Sequence, residues 1–117
     1  MRSSLLLTGL LAAFTSGCFY VPGPGPNSDG TITIENDSAY VLTEVRVTQV
    51  ASSTWGPNLL RDALYPREQL TVAVACGTYD VLISDEYARD CVLSSLDLCF
   101  SDQLWVIDNS TLRNCAF

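Results

Sequence analysis

From Thr31 onward, apolar and polar residues alternate with a period of two rather than 3.6, the mark of strands that turn one face to a core. Ile32 and Ile34 share one side of the first run, 31–35. Across 41–50, Val41, Val45 and Val47 oppose Glu44, Arg46 and Thr48. Leu70, Val72, Val74 and Cys76 share a face, and after a turn at Gly77-Thr78 so do Tyr79, Val81 and Ile83. Leu96-Asp97-Leu98 alternates once more, and Leu104-Trp105-Val106-Ile107 ends the set as an apolar run. Turn formers separate these runs: Asn36-Asp37-Ser38, Gly56-Pro57-Asn58, Pro66, Gly77 and Ser84-Asp85-Glu86. The pattern predicts an all-β domain over 31–117, a small antiparallel β-sandwich of six to seven strands. Within 57–65, Leu59, Leu60, Ala63 and Leu64 fall instead at helical spacing, which predicts one short helix or a capping loop closing an edge of the sandwich. Gly56 and Gly77 are expected at positive φ in tight turns.

The N-terminus follows another pattern. Met1-Arg2-Ser3-Ser4 precedes an apolar run of about 10 residues from Leu5 to Phe14, then small residues lead to Cys18. A positive start, a short apolar run and small residues make an export signal, too short to span a bilayer, which needs about 20 residues. Ser16-Gly17-Cys18 resembles the end of the bacterial lipoprotein signal, with Thr15 where Leu is usual. That resemblance implies cleavage of a signal peptide at 1–17. Cys18 would then carry diacylglyceryl and fatty acyl chains such as palmitate, anchoring the protein to a membrane with no transmembrane helix. Phe19 stands where Asp would imply inner-membrane retention, so the resemblance points to the cell envelope and its outer membrane; plain secretion to the periplasm or beyond is the other reading of the same signal.

Residues 18–30 then read as the lipidated Cys and a Pro/Gly tether. From Tyr20 onward, Pro22, Pro24 and Pro26 with interleaved glycines predict neither helix nor ladder strand. Such a spacer would hold the domain off the membrane by about 30 Å if extended.

Several pieces of the folded region stand in a recognisable order: Asn36-Asp37-Ser38, Trp55-Gly56-Pro57-Asn58-Leu59-Leu60, Leu64-Tyr65-Pro66 and Gly77-Thr78-Tyr79-Asp80. Over 31–107 the chain resembles an exported bacterial β-sandwich module of uncharacterised function whose members read N-x-S, W-G-x-x-L-L, L-x-P-G and G-x-Y-D. Arg67 stands where that module has Gly. The resemblance implies a fold and no catalysis.

Composition narrows the chemistry. The chain has 117 residues, 13 acidic and 6 basic side chains, all six arginine, and no histidine, for a net charge of −7. That disfavours His or Lys catalysis and a nucleic-acid partner. No nucleophile elbow or phosphate loop occurs, so no enzyme activity and no cofactor are expected. Beyond Cys18, four cysteines in a small exported domain imply two disulfides. Three pairings are open, of which Cys76–Cys115 with Cys91–Cys99 is favoured, the second requiring a turn near Ser94-Ser95. No C-x₂-C spacing suggests a metal site.

Asp80, Asp85, Glu86 and Asp90 gather around one expected hairpin, a solvated acidic loop with Ca²⁺ as its alternative. Trp55 and Tyr87 are the aromatic candidates for glycan or partner contact, whereas Trp105, inside an apolar strand, reads as core. The expected function is that of a lipid-anchored envelope protein with a non-catalytic domain, structural or protein-interacting; the alternative is a glycan- or Ca-binding module built from those aromatics and carboxylates.

Overall fold

The computed structural model describes residues 16–21, through their strand pairing, and 29–115. The elements in chain order are β1 (Ser16–Val21), β2 (Gly30–Asn36), β3 (Leu42–Gln49), β4 (Gln69–Val74), β5 (Thr78–Asp85), β6 (Asp90–Asp97), β7 (Asp102–Ile107) and α1 (Asn109–Cys115). They form a four-stranded sheet, β1-β4-β2-β7, and a three-stranded sheet, β3-β5-β6. The all-β sandwich is the one the alternation predicts.

Its strand directions are not. β1 runs parallel to β4 and β2 parallel to β7, so the larger sheet is mixed, while β3, β5 and β6 pair antiparallel as expected. Alternation reports which side chain faces inward; it carries no record of the direction of a neighbouring strand.

The N-terminal segment also departs from expectation. The proposed signal peptide lies outside the described residues up to residue 15, as do residues 22–28 of the expected tether. Cys18 to Val21, however, pair in register with Thr71 to Val74, and Gly30 opens β2. Tyr20 and Val21, read as spacer, are therefore ladder residues. The first proline, Pro22, falls just past the strand.

Between the sheets lie Ile32 and Ile34 from β2, Leu70, Val72 and Val74 from β4, Val45 and Val47 from β3, and Tyr79, Val81 and Ile83 from β5, all buried. Each buried aliphatic side chain stabilises the fold by about 1.5–3 kcal/mol. β7 is the outermost strand of its sheet. Its apolar run is not all core: Trp105 packs against the buried cluster and Ile107 joins it, but Leu104 is 60% exposed.

Residues 57–65 form the capping loop and not the helix. The segment runs beside β3, with the Leu59 N–H donating to the Val45 carbonyl at 2.8 Å and Leu64 and Leu42 exchanging backbone bonds at 2.9 Å. Asn58 pins it: its Oδ1 accepts from the Val45 and Leu60 amides and its Nδ2 donates to the Thr43 carbonyl. The helix occurs instead as α1, which packs on β6 and β7 and closes the opposite side. Asp108 caps it, accepting from the Thr111 amide at 2.8 Å and from the Thr111 hydroxyl.

The disulfides are Cys76–Cys99 and Cys91–Cys115, not the favoured pairing. β6 continues through Ser94-Ser95 as a strand with a bulge and ends at Asp97, so the turn that Cys91–Cys99 required is absent and the strand carries the chain about 20 Å from Cys91 before Cys99 is reached. Ser95 adopts φ 57° at the bulge.

Positive φ likewise falls on unexpected residues. Among the described residues no glycine has it, whereas Arg67 does, at 75°. Space requires glycine at Gly30, where a Cβ would collide with the Leu98 carbonyl oxygen; at Gly77 a Cβ would come within 3.2 Å of the ring of Tyr79.

Two ends of the sandwich follow from the register. One carries the close of β2, the start of β4 and the β5–β6 hairpin, joined through Asn36, whose Nδ2 donates to the Tyr40 and Leu64 carbonyls. The other carries the β4–β5 and β6–β7 connections, joined by Cys76–Cys99.

Candidate functional site

The β5–β6 hairpin at the Asn36 end is where most of the candidate residues gather. Its central group, Asp85, is 2% exposed. One carboxylate oxygen accepts the Tyr87 amide at 3.0 Å and the Arg89 amide at 2.9 Å; the other accepts Arg89 Nε at 2.6 Å. Arg89 lies over the ring of Tyr40, 4.6 Å from its centroid, and near that of Tyr87 at 5.7 Å, the two rings meeting edge to face. The bond to Asp85 raises the guanidinium pKa above its ordinary value, outweighing desolvation. Asp85 thus shapes the turn and neutralises a half-buried arginine, which leaves no oxygen free for calcium.

Asp85 also lines an open cleft of about 350 Å³, bordered by Glu86 and Asp90 and touching Thr43, Glu44, Leu82 and Ser84. Asp90 accepts the Ser84 hydroxyl. Glu44 pairs with Arg46 at 2.9 Å, and Arg46 also donates to the Gly56 carbonyl at 2.7 Å. The Thr43, Glu44, Ser84, Asp85 and Asp90 side chains that line it each have a hydrogen-bond partner.

The other candidates are not brought here. Asp80 pairs in register with Thr48, five residues along β5 from Asp85, and accepts the Ser95 amide at 2.8 Å to stabilise the β6 bulge. Trp55 lies beside Val47–Gln49 at the far end of β3, with Gly56 against the Val47 carbonyl. The eight residues of β3 separate it from Tyr87 by about 20 Å. Trp55 and Tyr87, 39% and 67% exposed, do not form one surface. Among the described residues no group of three or more Asp, Glu or Cys side chains is arranged to hold a metal ion, and no helix is long and apolar enough to cross a membrane.

Two residues at this end carry roles the sequence pattern did not single out. Tyr40 supplies the inner face of the arginine box, for which the Tyr87-x-Arg89 spacing was the only local hint. Asn36, read as part of a turn, is fully buried and makes four hydrogen bonds, two as donor and two accepted from Ser38. The N-x-S signature is thereby a sheet-joining device.

No protein-family model and no curated protein sequence matches the chain. Its fold is similar to the NMR structure of the protein from Eubacterium rectale, with a TM-score of 0.50 and 13% sequence identity over 74% of this chain and 84% of that one. At that identity the likeness is one of fold.

Proposed function

We propose that this chain is a lipid-anchored protein of the bacterial cell envelope whose disulfide-bonded sandwich is non-catalytic and serves a structural or protein-binding role. The observation that carries this reading is Ser16-Gly17-Cys18 after a short apolar run behind a positive start. Two disulfides in one small domain add support, since such bridges persist in oxidising compartments and not in a reducing cytoplasm. Phe19, in place of Asp, favours the outer membrane. Intact-mass analysis of the N-terminal peptide is the test. The expected result is a chain that begins at Cys18 and carries diacylglyceryl and acyl mass, with Cys18→Ser shifting the protein from the membrane fraction to the soluble one. An unmodified Cys18 in soluble protein overturns the reading.

The open cleft beside exposed Tyr87, bordered by Glu86 and Asp90, is what favours the second reading, a glycan- or calcium-binding module. It is the weaker one, because Asp80 and Asp85 are engaged by backbone amides and Trp55 is remote. Calorimetric titration with Ca²⁺ and a glycan array separate the two; binding weakened by Tyr87→Ala would favour the module.

A further inference from the structure

On the lipid-anchor reading, the register of β1 decides which face of the body meets the membrane. Cleavage before Cys18 leaves Cys18 to Val21 paired with Thr71 to Val74, so the acylated residue stands in the ladder with no spacer between it and the sheet. The Pro/Gly stretch comes after this strand and leads to β2. Positions 19 and 21 stand opposite Val72 and Val74, which are fully buried. Positions 18 and 20 stand opposite Thr71 and Ala73, on the outward face of the four-stranded sheet.

One row of that face runs from position 18 through Thr71 and Thr33 to Leu104 on β7. Three strand spacings put Leu104 about 14 Å from the anchor position. The row on one side of it holds Gln69, Glu35 and Val106, and the row on the other holds Ala73, Thr31 and Asp102. Leu104 and Val106 are 60% and 36% exposed, aliphatic side chains left uncovered on the same face as the anchor position. Two carboxylates occur among these described positions, Glu35 and Asp102, and Asp102 accepts the Thr31 hydroxyl at 2.7 Å. Charge therefore does not select this face; the place of the anchor does. Acyl chains that start at position 18 reach the hydrocarbon core through a headgroup layer about 5–7 Å deep. Ladder bonds that fix the backbone at that depth bring the rest of its row to the headgroups.

We propose that the outward face of the four-stranded sheet lies on the phospholipid surface, with Thr33 and Thr71 at the headgroups and Leu104 and Val106 covered by lipid. The proposal rests on the lipid anchor. It replaces a stand-off of about 30 Å with contact. It also turns the outward face of β3-β5-β6, with Glu44, Asp80, Asp90 and the open cleft, away from the membrane, where other envelope components reach it.

The test is hydroxyl-radical footprinting of the unmutated acylated protein in phosphatidylethanolamine–phosphatidylcholine vesicles, read against Cys18→Ser protein free in solution. Val92, 49% exposed on the outward face of the other sheet, is the internal reference. Contact predicts that Leu104 and Val106 lose labelling about threefold relative to Val92, because lipid excludes water from them. Phe100, in the β6–β7 connection, should keep its labelling. Unchanged labelling at Leu104, or protection of Val92 or Phe100 in its place, overturns the orientation. Protection of Leu104 already in the Cys18→Ser protein means that a second copy covers the face, which overturns it as well. The mass of the N-terminal peptide from the same sample keeps the two readings apart. An unacylated Cys18 overturns the anchor, and an acylated one without protection at Leu104 overturns only the orientation.

Discussion

At the Asn36 end the sheets are fastened by the buried side chain of Asn36 with its four hydrogen bonds, while Asp85 and Arg89 lock the β5–β6 hairpin. At the other end the fastening is Cys76–Cys99, with Tyr79 packed over Gly77 and donating to the Ala75 carbonyl at 2.8 Å. The polar fastening depends on buried groups finding partners, which all but Arg89 Nη2 do among the described side chains, and hydrogen bonds are indifferent to redox conditions. The covalent one tolerates an exposed, acidic surface but depends on an oxidising environment. Reductant nevertheless acts at both ends, because Cys91–Cys115 ties α1 to the start of β6 beside the β5–β6 hairpin.

The largest expected effect comes from reduction. The two bridges span 23 and 24 residues, and loop-closure entropy assigns each about 3.4 kcal/mol. Together they approach the whole stability of a small domain, about 5–15 kcal/mol. A thermal melt in reductant should therefore fall by roughly 30–50 °C, at about 4–8 °C per kcal/mol. An unchanged melt would remove the covalent half of the contrast. Asn36→Ala comes next, at a cost of about 3 kcal/mol in a urea titration, since the Tyr40 and Leu64 carbonyls lose their buried donor. If the ends are independent, loss of Cys76–Cys99 by paired Ser substitutions and Asn36→Ala should add to within about 0.5 kcal/mol; a larger coupling means that one end supports the other.

Arg67→Gly sharpens the picture in the opposite direction. Arg67 holds φ 75°, where an L side chain is strained and glycine is not. The substitution should stabilise the fold by about 1 kcal/mol, read from the urea midpoint. The smallest effect is that of acid on α1. The Asp108 carboxyl is held below its ordinary value of 3.8, first by the Thr111 amide and then by the Thr111 hydroxyl. A lowered folded-state pKa contributes stability that is present above 3.8 and is lost as pH falls through the depressed value. Helical ellipticity should decline across that acid window, and Asp108→Asn should flatten the decline.

Much of the fold was legible residue by residue. The buried faces of β2, β4 and β5 are those the alternation marks, and the loop at 57–65 forms where the pattern breaks. The α1 helix was not read from the sequence: Asp108 ahead of Leu112 is its cap, but Asn109-Ser110-Thr111 reads as turn-like polar residues. The candidate site fared differently. Asp80, Asp85, Glu86 and Asp90 are close in sequence, yet β5 carries Asp80 about 16 Å from Asp85, and amides claim both.

By itself the sequence determined the all-β class, the inward face of each central strand and the presence of two disulfides, because these follow from side-chain period and from cysteine number. Tertiary structure alone decided the parallel pairings of β1 and β7, the partner of each cysteine and the stacking of Arg89 on Tyr40. Those outcomes depend on which distant segments pack side by side, and the free energy that selects them is shared by residues 20 to 70 positions apart, so no local window of the chain contains it.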